Sequence, residues 1–105
     1  MKTNSPAPAS LEQRFRELVK QVRRDTAHLS MIEQKVEHPS YREIVGMGWP
    51  VVPLLLAELR RRPGFWFVAL LEITGVDPVP PDSEGDIAAI ARAWIEWGRA
   101  QGHIE

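Results

Sequence analysis

The chain has 105 residues, a formal net charge of −1 and no cysteine. A chain of this length forms one domain with a core but without a deep enclosed cleft. The mixed charge gives no global field that would attract nucleic acid or an anionic membrane, and no apolar run reaches the roughly 20 residues that a membrane span needs. Without cysteine there is no disulfide, thiol nucleophile or thiolate metal site. We therefore expect a cytoplasmic protein that does not enter the membrane.

The first third of the chain predicts a tail, a long helix and an ambiguous segment. Residues 1–9 are rich in Pro, Ser and Ala and are expected to be disordered. Ser10, with a glutamine three residues later, is typical of a helix cap. Apolar residues at spacings of three and four then predict a helix over Leu11–Thr26. Residues 27–37 are left open between a loop and a short helix capped by Ser30.

The central stretch holds most of the large apolar side chains, and prolines and glycines divide it into three helices. Proline is favoured at the first helical position, and glycine just after the last one. The residues that mark these ends are Pro39, Gly48, Pro50, Pro63, Gly64 and Gly75. His38 is expected to cap the first helix or to form a hinge before it. The third helix, Phe65–Thr74, is apolar nearly all round, so it is expected to be buried on several sides.

The middle helix of the three has a buried stripe and a polar side. The stripe consists of Val52, Leu55, Leu56 and Leu59. The side chains expected to face water or a partner are Glu58, Arg60, Arg61 and Arg62. Basic residues in the last turn also suit the helix dipole.

The last third predicts a connector and a final helix. Three prolines between Val76 and Ser83 indicate an extended surface segment without helix. Ser83 together with Asp86 is expected to cap a helix that ends at Gly102, and residues 103–105 are expected to form a frayed tail. The whole pattern predicts an all-α fold, a compact bundle of about five helices in a single domain over residues 10–102.

Part of this pattern resembles a known repeat. The residues concerned are Gly48, Val52, Pro53, Leu55, Leu56 and Leu59, followed by Trp66, Ala69, Leu70, Ile73 and Gly75. They resemble a HEAT repeat of the short bacterial type, in which a glycine turn precedes one helix and a second helix packs against it. The resemblance covers about a third of the chain and implies an antiparallel helix pair at the centre of the bundle, of a sort that binds other proteins. Only one unit is present, whereas a solenoid normally needs three or more.

A longer string of residues carries a second resemblance. From His38 to Trp97 the chain is similar to a family of small uncharacterised bacterial all-helical proteins, which have no catalytic residues assigned. Some members are encoded beside a second small gene, as toxin–antitoxin pairs are. The resemblance implies a bacterial origin and says little about chemistry.

Candidate catalytic and metal sites are weak. The three histidines, His28, His38 and His103, include no pair at helical ligand spacing, so caps or surface positions are favoured over a metal site. The acidic residues Asp77, Asp82, Glu84 and Asp86 lie in and around the connector, where no burial would raise a pKa, and a solvated loop is favoured over acid–base chemistry. No glycine-rich phosphate loop or nucleophile elbow is present. We expect no enzyme activity, no cofactor and no metal.

Trp49 and the arginines are the candidate binding residues. Trp49 stands in the turn before the middle helix and is either an exposed interface anchor or folded back onto Tyr41 or the last helix. We expect a non-catalytic protein–protein interaction module that binds through Trp49, Arg60, Arg61 and Arg62. The sharpest form of this hypothesis is an antitoxin or regulatory subunit of a small bacterial operon. The alternative is a nucleic-acid-binding accessory factor that uses the basic face of the first helix. A homodimer is left open.

Overall fold

Six α-helices and two short 3₁₀ turns make up the computed structural model, which describes residues 7–29, 31–83 and 85–104. The helices are α1 (Ala7–Thr26), α2 (Ile32–Val36), α3 (Pro39–Met47), α4 (Val52–Arg61), α5 (Trp66–Thr74) and α6 (Ile87–Ala100), with the turns at Trp49–Val51 and Pro81–Ser83. No strand occurs in these ranges, and all helices except α2 have nine residues or more. The predicted all-α fold is confirmed.

The first two helices differ from the prediction at their beginnings. Helix α1 starts at Ala7, so residues 7–9 are helical rather than part of a tail, and Ser10 lies inside the helix instead of capping it. Pro8 is tolerated there because the N–H groups of a first helical turn have no partner within the helix. Segment 27–37 contains the short helix α2, which follows Met31 without a side-chain cap. The predicted cap Ser30 lies outside the described residues.

The hydrophobic core is formed by α1, α3, α4, α5 and α6. The predicted stripe of α4 is confirmed, because all four of its residues are fully buried. The sequence predicts that Glu58 faces water or a partner, but its side chain is buried, with the residue only 5% exposed. It lies one turn after Leu55 on the same side of α4, so helix packing covers it as well.

Tyr41 fastens α3 to α5. Its fully buried ring stacks on Trp66, with the centroids 4.8 Å apart. Its hydroxyl donates to the Phe65 carbonyl at 2.7 Å and accepts from the Ala69 N–H at 2.9 Å. The hydroxyl therefore stands between the Phe65 carbonyl and the Ala69 N–H, the two groups that would otherwise form the first i→i−4 hydrogen bond of α5.

Helix α5 is buried less completely than the sequence predicted. Trp66, Ala69 and Leu70 are buried, but Phe67 and Leu71 on its other side remain half-exposed. The remainder of the chain therefore covers one face of α5 well and leaves the second face partly open.

The connector and the last helix follow the prediction with three corrections. Pro81–Ser83 forms a 3₁₀ turn rather than extended chain, and the cap of α6 is Asp86, whose carboxylate accepts from the Ala89 N–H at 3.1 Å. The predicted frayed tail is ordered at His103, which donates its backbone N–H to the Gly98 carbonyl at 2.8 Å. Gly102, with a φ of 80°, supplies the left-handed residue that this helix end needs.

Candidate functional site

The C-terminal end of α4 carries three consecutive arginines that separate onto two sides. Arg61 and Arg62 line a groove between α1 and α4. Arg60 lies on the other side, in a shallower groove towards α6 that also contains Arg92 and Arg99. Successive residues of a helix are about 100° apart around its axis, so neighbours in sequence face different partners.

The groove between α1 and α4 has more charged residues in its lining than the groove towards α6. It has a volume of about 500 Å³. Its basic residues are Arg16, Lys20, Arg23, Arg61 and Arg62, with Glu58 as the one acidic residue in the lining; we call it the basic groove. Arg16, Lys20 and Arg23 are three or four residues apart in α1, so they share one face of that helix.

Glu58 at the floor of the basic groove is shared by two guanidinium groups. Its side chain is 6% exposed. Arg23 Nη2 donates to Oε2 of Glu58, and Arg61 Nη1 donates to Oε1 at 3.3 Å. A carboxylate removed from water needs such partners, because an unpaired buried charge is costly. Glu58 therefore holds the ends of α1 and α4 together.

The other cations of the basic groove are balanced only in part. Arg16 pairs with Glu12 at 2.5 Å on the exposed surface of α1. Lys20 and Arg62 form no ion pair with any described residue. The five cations thus face two carboxylates, Glu58 and Glu12, which leaves an excess of three positive charges.

The pKa of Arg23 is also affected by the neighbouring positive charges of the basic groove. Burial lowers the pKa of its guanidinium, and the positive charges of Arg62 and Arg61 lower it further. Arginine stays protonated at neutral pH in spite of such effects. The basic groove therefore keeps like charges close together, and an anion placed among them would reduce their repulsion.

Trp49 lies at the opposite end of α4. Its side chain is 50% exposed, and its ring centroid is 5.7 Å from that of His103, which in turn is 5.1 Å from Trp97. Trp49 is thus exposed on one side and packed against the segment after the last helix on the other. Because α4 is ten residues long, Trp49 and the arginines are separated by about 15 Å along its axis. The structure does not join the four predicted binding residues into one surface.

His38 takes part in a cap rather than in a catalytic arrangement. Its Nδ1 accepts from the Ser40 N–H at 3.0 Å, and its Nε2 lies 2.9 Å from Oδ2 of Asp25. Nδ1 as an acceptor leaves the proton on Nε2, so the ring bridges α3 to Asp25 with both nitrogens occupied. The Ser40 hydroxyl donates to Gln21 instead of to the ring. Serine, histidine and aspartate therefore meet here without forming a nucleophile–base pair.

The remaining candidates stay separate. In the described parts of the chain, no three His, Asp or Glu side chains converge as a metal site would require. Asp77 accepts from the Val79 N–H at 3.2 Å, and Asp86 caps α6, so each serves its own backbone; Glu84 lies outside the described residues. No helix in the described ranges is both long and apolar enough to cross a bilayer.

The sequence predicts one binding surface at the α4 arginines and an alternative one on the basic face of α1, but no groove that both helices share. The signal for α1 was present, since Arg16, Lys20 and Arg23 share a helical face. What the sequence did not contain was the packing of that face against the end of α4, because helix order alone does not fix which helices are neighbours. The basic groove follows from this packing.

Comparison of the chain with models of known protein families, with curated proteins and with solved structures gave no match.

Proposed function

We propose that the chain is a non-catalytic protein-interaction module whose basic groove binds an acidic segment of another protein. The observation that carries the proposal is the excess of three positive charges in a groove of about 500 Å³ on a molecule with a net charge of −1. Lys20 and Arg62, which have no ion pair among the described residues, are the residues best placed to receive carboxylates. Such charge complementarity gives specificity and fast association.

The ionisable groups that meet elsewhere already have structural roles. His38 and Asp25 hold the start of α3, and Asp86 caps α6. These roles favour an interaction module over an enzyme. The narrower role of antitoxin or regulatory subunit, and the likeness of the α4–α5 pair to a HEAT repeat, depend on sequence resemblance and stay predictions.

Nucleic-acid binding is the second candidate, because Arg16, Lys20 and Arg23 of α1 do line the groove. One feature of the lining favours a protein partner. The surface between the cations is apolar at Phe15 and Val19, so it can contact an apolar side chain of a peptide. The net charge of −1 also supplies none of the long-range attraction on which backbone-dominated binding depends.

The two candidates are separated by one binding titration with two probes. One probe is a peptide of ten glutamate residues. The other is a 20-nucleotide DNA, which is tested both as a single strand and as a duplex. The groove variant is Lys20→Gln/Arg62→Gln, and the matched control, with the same change in net charge, is Arg14→Gln/Arg42→Gln. We expect the peptide to bind at low salt, with at least a tenfold loss of affinity in the groove variant and a change of less than about twofold in the control.

The other outcomes decide against the proposal. DNA that binds more tightly than the peptide, with a steep salt dependence that the groove variant reduces, would support the nucleic-acid alternative. Absence of binding by either probe, or equal losses in both variants, would remove the basic groove as a site.

Trp49 is the second predicted contact and is tested separately, since it lies about 15 Å from the arginines. Its exposed half contributes little to the core, so Trp49→Ala should leave the unfolding midpoint nearly unchanged. If Trp49 is an interface anchor, the variant should weaken binding of the natural partner, once isolated, by tenfold or more. A large loss of stability with binding intact would refute that role.

A further inference from the structure

A third groove lies between α5, the proline connector and α6. Its volume is about 250 Å³. The lining is apolar except for Asp77, and its main apolar side chains are Phe67, Leu71, Val79, Pro81, Ile90 and Trp94. The groove is open to solvent along the second face of α5, the face that the rest of the chain leaves half-covered.

The floor of this groove contains a buried hydrogen-bond donor without a partner among the described residues. Trp94 is fully buried, yet its indole Nε1 has no hydrogen-bond partner among the described residues. Unpaired buried donors are uncommon in folded proteins. Phe67 and Leu71 are large apolar side chains that remain only half-buried in the same groove. These two side chains indicate a surface that contact with another molecule would cover.

The chain segments that border the groove, which we call its rim, carry three exposed carboxylates. Asp77 belongs to the lining, Asp82 directly follows the lining residue Pro81, and Asp86 lies four residues before the lining residue Ile90. Asp77 and Asp86 each accept one backbone N–H, and none of the three forms an ion pair with a described residue. The rim therefore carries negative charge that is not neutralised within the described chain.

We propose that this acidic-rimmed groove binds a peptide segment of a partner protein that presents one bulky apolar side chain next to lysine or arginine. The apolar side chain would cover Phe67 and Leu71, and the basic residues would pair with Asp77 and Asp82. The volume of about 250 Å³ is below the roughly 300 Å³ at which small-molecule pockets begin, so a single side chain fits better than a cofactor-sized ligand. This site is independent of the basic groove, since it selects the opposite charge.

A displayed library of random 12-residue peptides tests the proposal. The full chain is panned in parallel with two variants, Asp77→Asn/Asp82→Asn and Lys20→Gln/Arg62→Gln. Asparagine at position 77 keeps an oxygen that can accept from the Val79 N–H, so the fold is preserved. We expect enrichment of peptides with a bulky apolar residue beside Lys or Arg. Their recovery should fall at least tenfold on the aspartate variant and stay unchanged on the other.

The charge and apolar contributions are then separated with one synthetic peptide. The most enriched peptide should lose tenfold or more in affinity when its apolar residue is replaced by serine. Equal binding of the serine version would reduce the effect to charge alone and overturn the proposal. So would the absence of an apolar–basic class, or its survival on the aspartate variant at an unchanged unfolding midpoint.

Two other outcomes are informative in the same experiment. Self-association that the aspartate substitutions abolish would assign the groove to a second copy of the chain and overturn the peptide proposal. Acidic peptides that bind the wild type and fail on Lys20→Gln/Arg62→Gln report on the basic groove alone, so the two proposals can fail separately.

Discussion

Two regions of the molecule differ in how their polar groups are paired. One is the contact between α3 and α5, which we call the seam, and the other is the basic groove between α1 and α4. At the seam, Arg42 makes two hydrogen bonds of 2.8 and 2.7 Å to Glu72, and the Tyr41 hydroxyl uses both its donor and its acceptor capacity. In the basic groove, Glu58 serves two arginines while Lys20 has no ion pair with a described residue. Cations are paired one to one at the seam and are in excess in the groove.

Paired polar groups, as at the seam, stabilise the fold, whereas unpaired charges, as in the basic groove, remain able to bind a partner. A bidentate pair such as Arg42–Glu72 fixes the relative position of two helices. An excess of like charge does the reverse, because it opposes the approach of the helices that carry it. A folded chain keeps such an excess at a cost in stability, which is consistent with selection for a function. The predictions below test this contrast.

The largest expected effect is at Glu58, where the two kinds of region meet. Glu58→Leu removes the one carboxylate in the floor of the groove and leaves Arg23 half-buried without a partner. We expect a loss of roughly 2–3 kcal/mol in the free energy of unfolding. Breaking a fully buried pair costs roughly 3–5 kcal/mol, and the cost is smaller here because the Arg23 side chain is 30% exposed to solvent. Chemical denaturation measures it. The double variant Arg23→Met/Glu58→Leu should recover most of the loss; no recovery would show that Glu58 contributes through packing alone.

The next largest effect is the loss of the Tyr41 hydroxyl at the seam, a group that is uncharged at neutral pH. Tyr41→Phe keeps the stacked ring but leaves the Ala69 N–H and the Phe65 carbonyl without the hydroxyl that bridges them, at a cost of about 1–3 kcal/mol. Burial raises the pKa of Tyr41, so the folded state holds this proton more tightly than the unfolded state. The stabilisation is complete at neutral pH and is lost as the pH rises beyond about 10. The wild type should therefore lose stability above that pH faster than Tyr41→Phe, and parallel curves would contradict the hydroxyl's role.

A smaller effect concerns the exposed ion pair of the same seam. Hydrogen bonds from Arg42 lower the pKa of Glu72, so the pair stabilises the fold at neutral pH and loses its effect as the pH falls below about 4.3, the ordinary value for glutamate. Exposed pairs contribute less than about 1 kcal/mol. Glu72→Gln should be slightly less stable than the wild type at pH 7 and equal to it near pH 2, as thermal unfolding at both values would show. A difference that persists at pH 2 would mean that Glu72 acts through something other than its charge.

The helices and the α4 stripe followed from local signals. Pro39 with His38, Gly48 and Gly75 mark helix ends by backbone rules that do not depend on neighbours. The four apolar residues of α4 were identified because helical spacing alone places them on one face. Such features can be read from sequence with no knowledge of which helices touch.

The wrong predictions concern residues whose environment depends on tertiary packing. The sequence predicts that Glu58 faces water or a partner, since glutamate is rarely buried, yet Arg23 of α1, 35 residues away in sequence, supplies the partner that makes its burial tolerable. The sequence predicts a frayed tail at His103, whereas its backbone N–H donates to the Gly98 carbonyl and its ring lies between those of Trp49 and Trp97. The basic groove was missed for the same reason, since it is a contact between distant segments.

The contrast can be measured most directly on α1, which contributes to both kinds of region. Arg14 makes two hydrogen bonds of 3.0 Å to Glu43 of α3. Lys20 points into the basic groove and has more basic than acidic neighbours at helical spacing: Arg16, Arg23 and Arg24 against Glu17. Lysine, arginine and glutamine have similar helix propensities, so substitution by glutamine mainly removes the charge in each case.

The decisive measurement is the free energy of unfolding of Lys20→Gln and Arg14→Gln at low and high salt. We predict that Lys20→Gln raises the stability by a few tenths of a kcal/mol, that Arg14→Gln lowers it by about 0.5 kcal/mol, and that both differences shrink at about 0.5 M salt. A loss of stability in Lys20→Gln as large as that in Arg14→Gln would mean that the groove cations serve the fold, and would contradict the account.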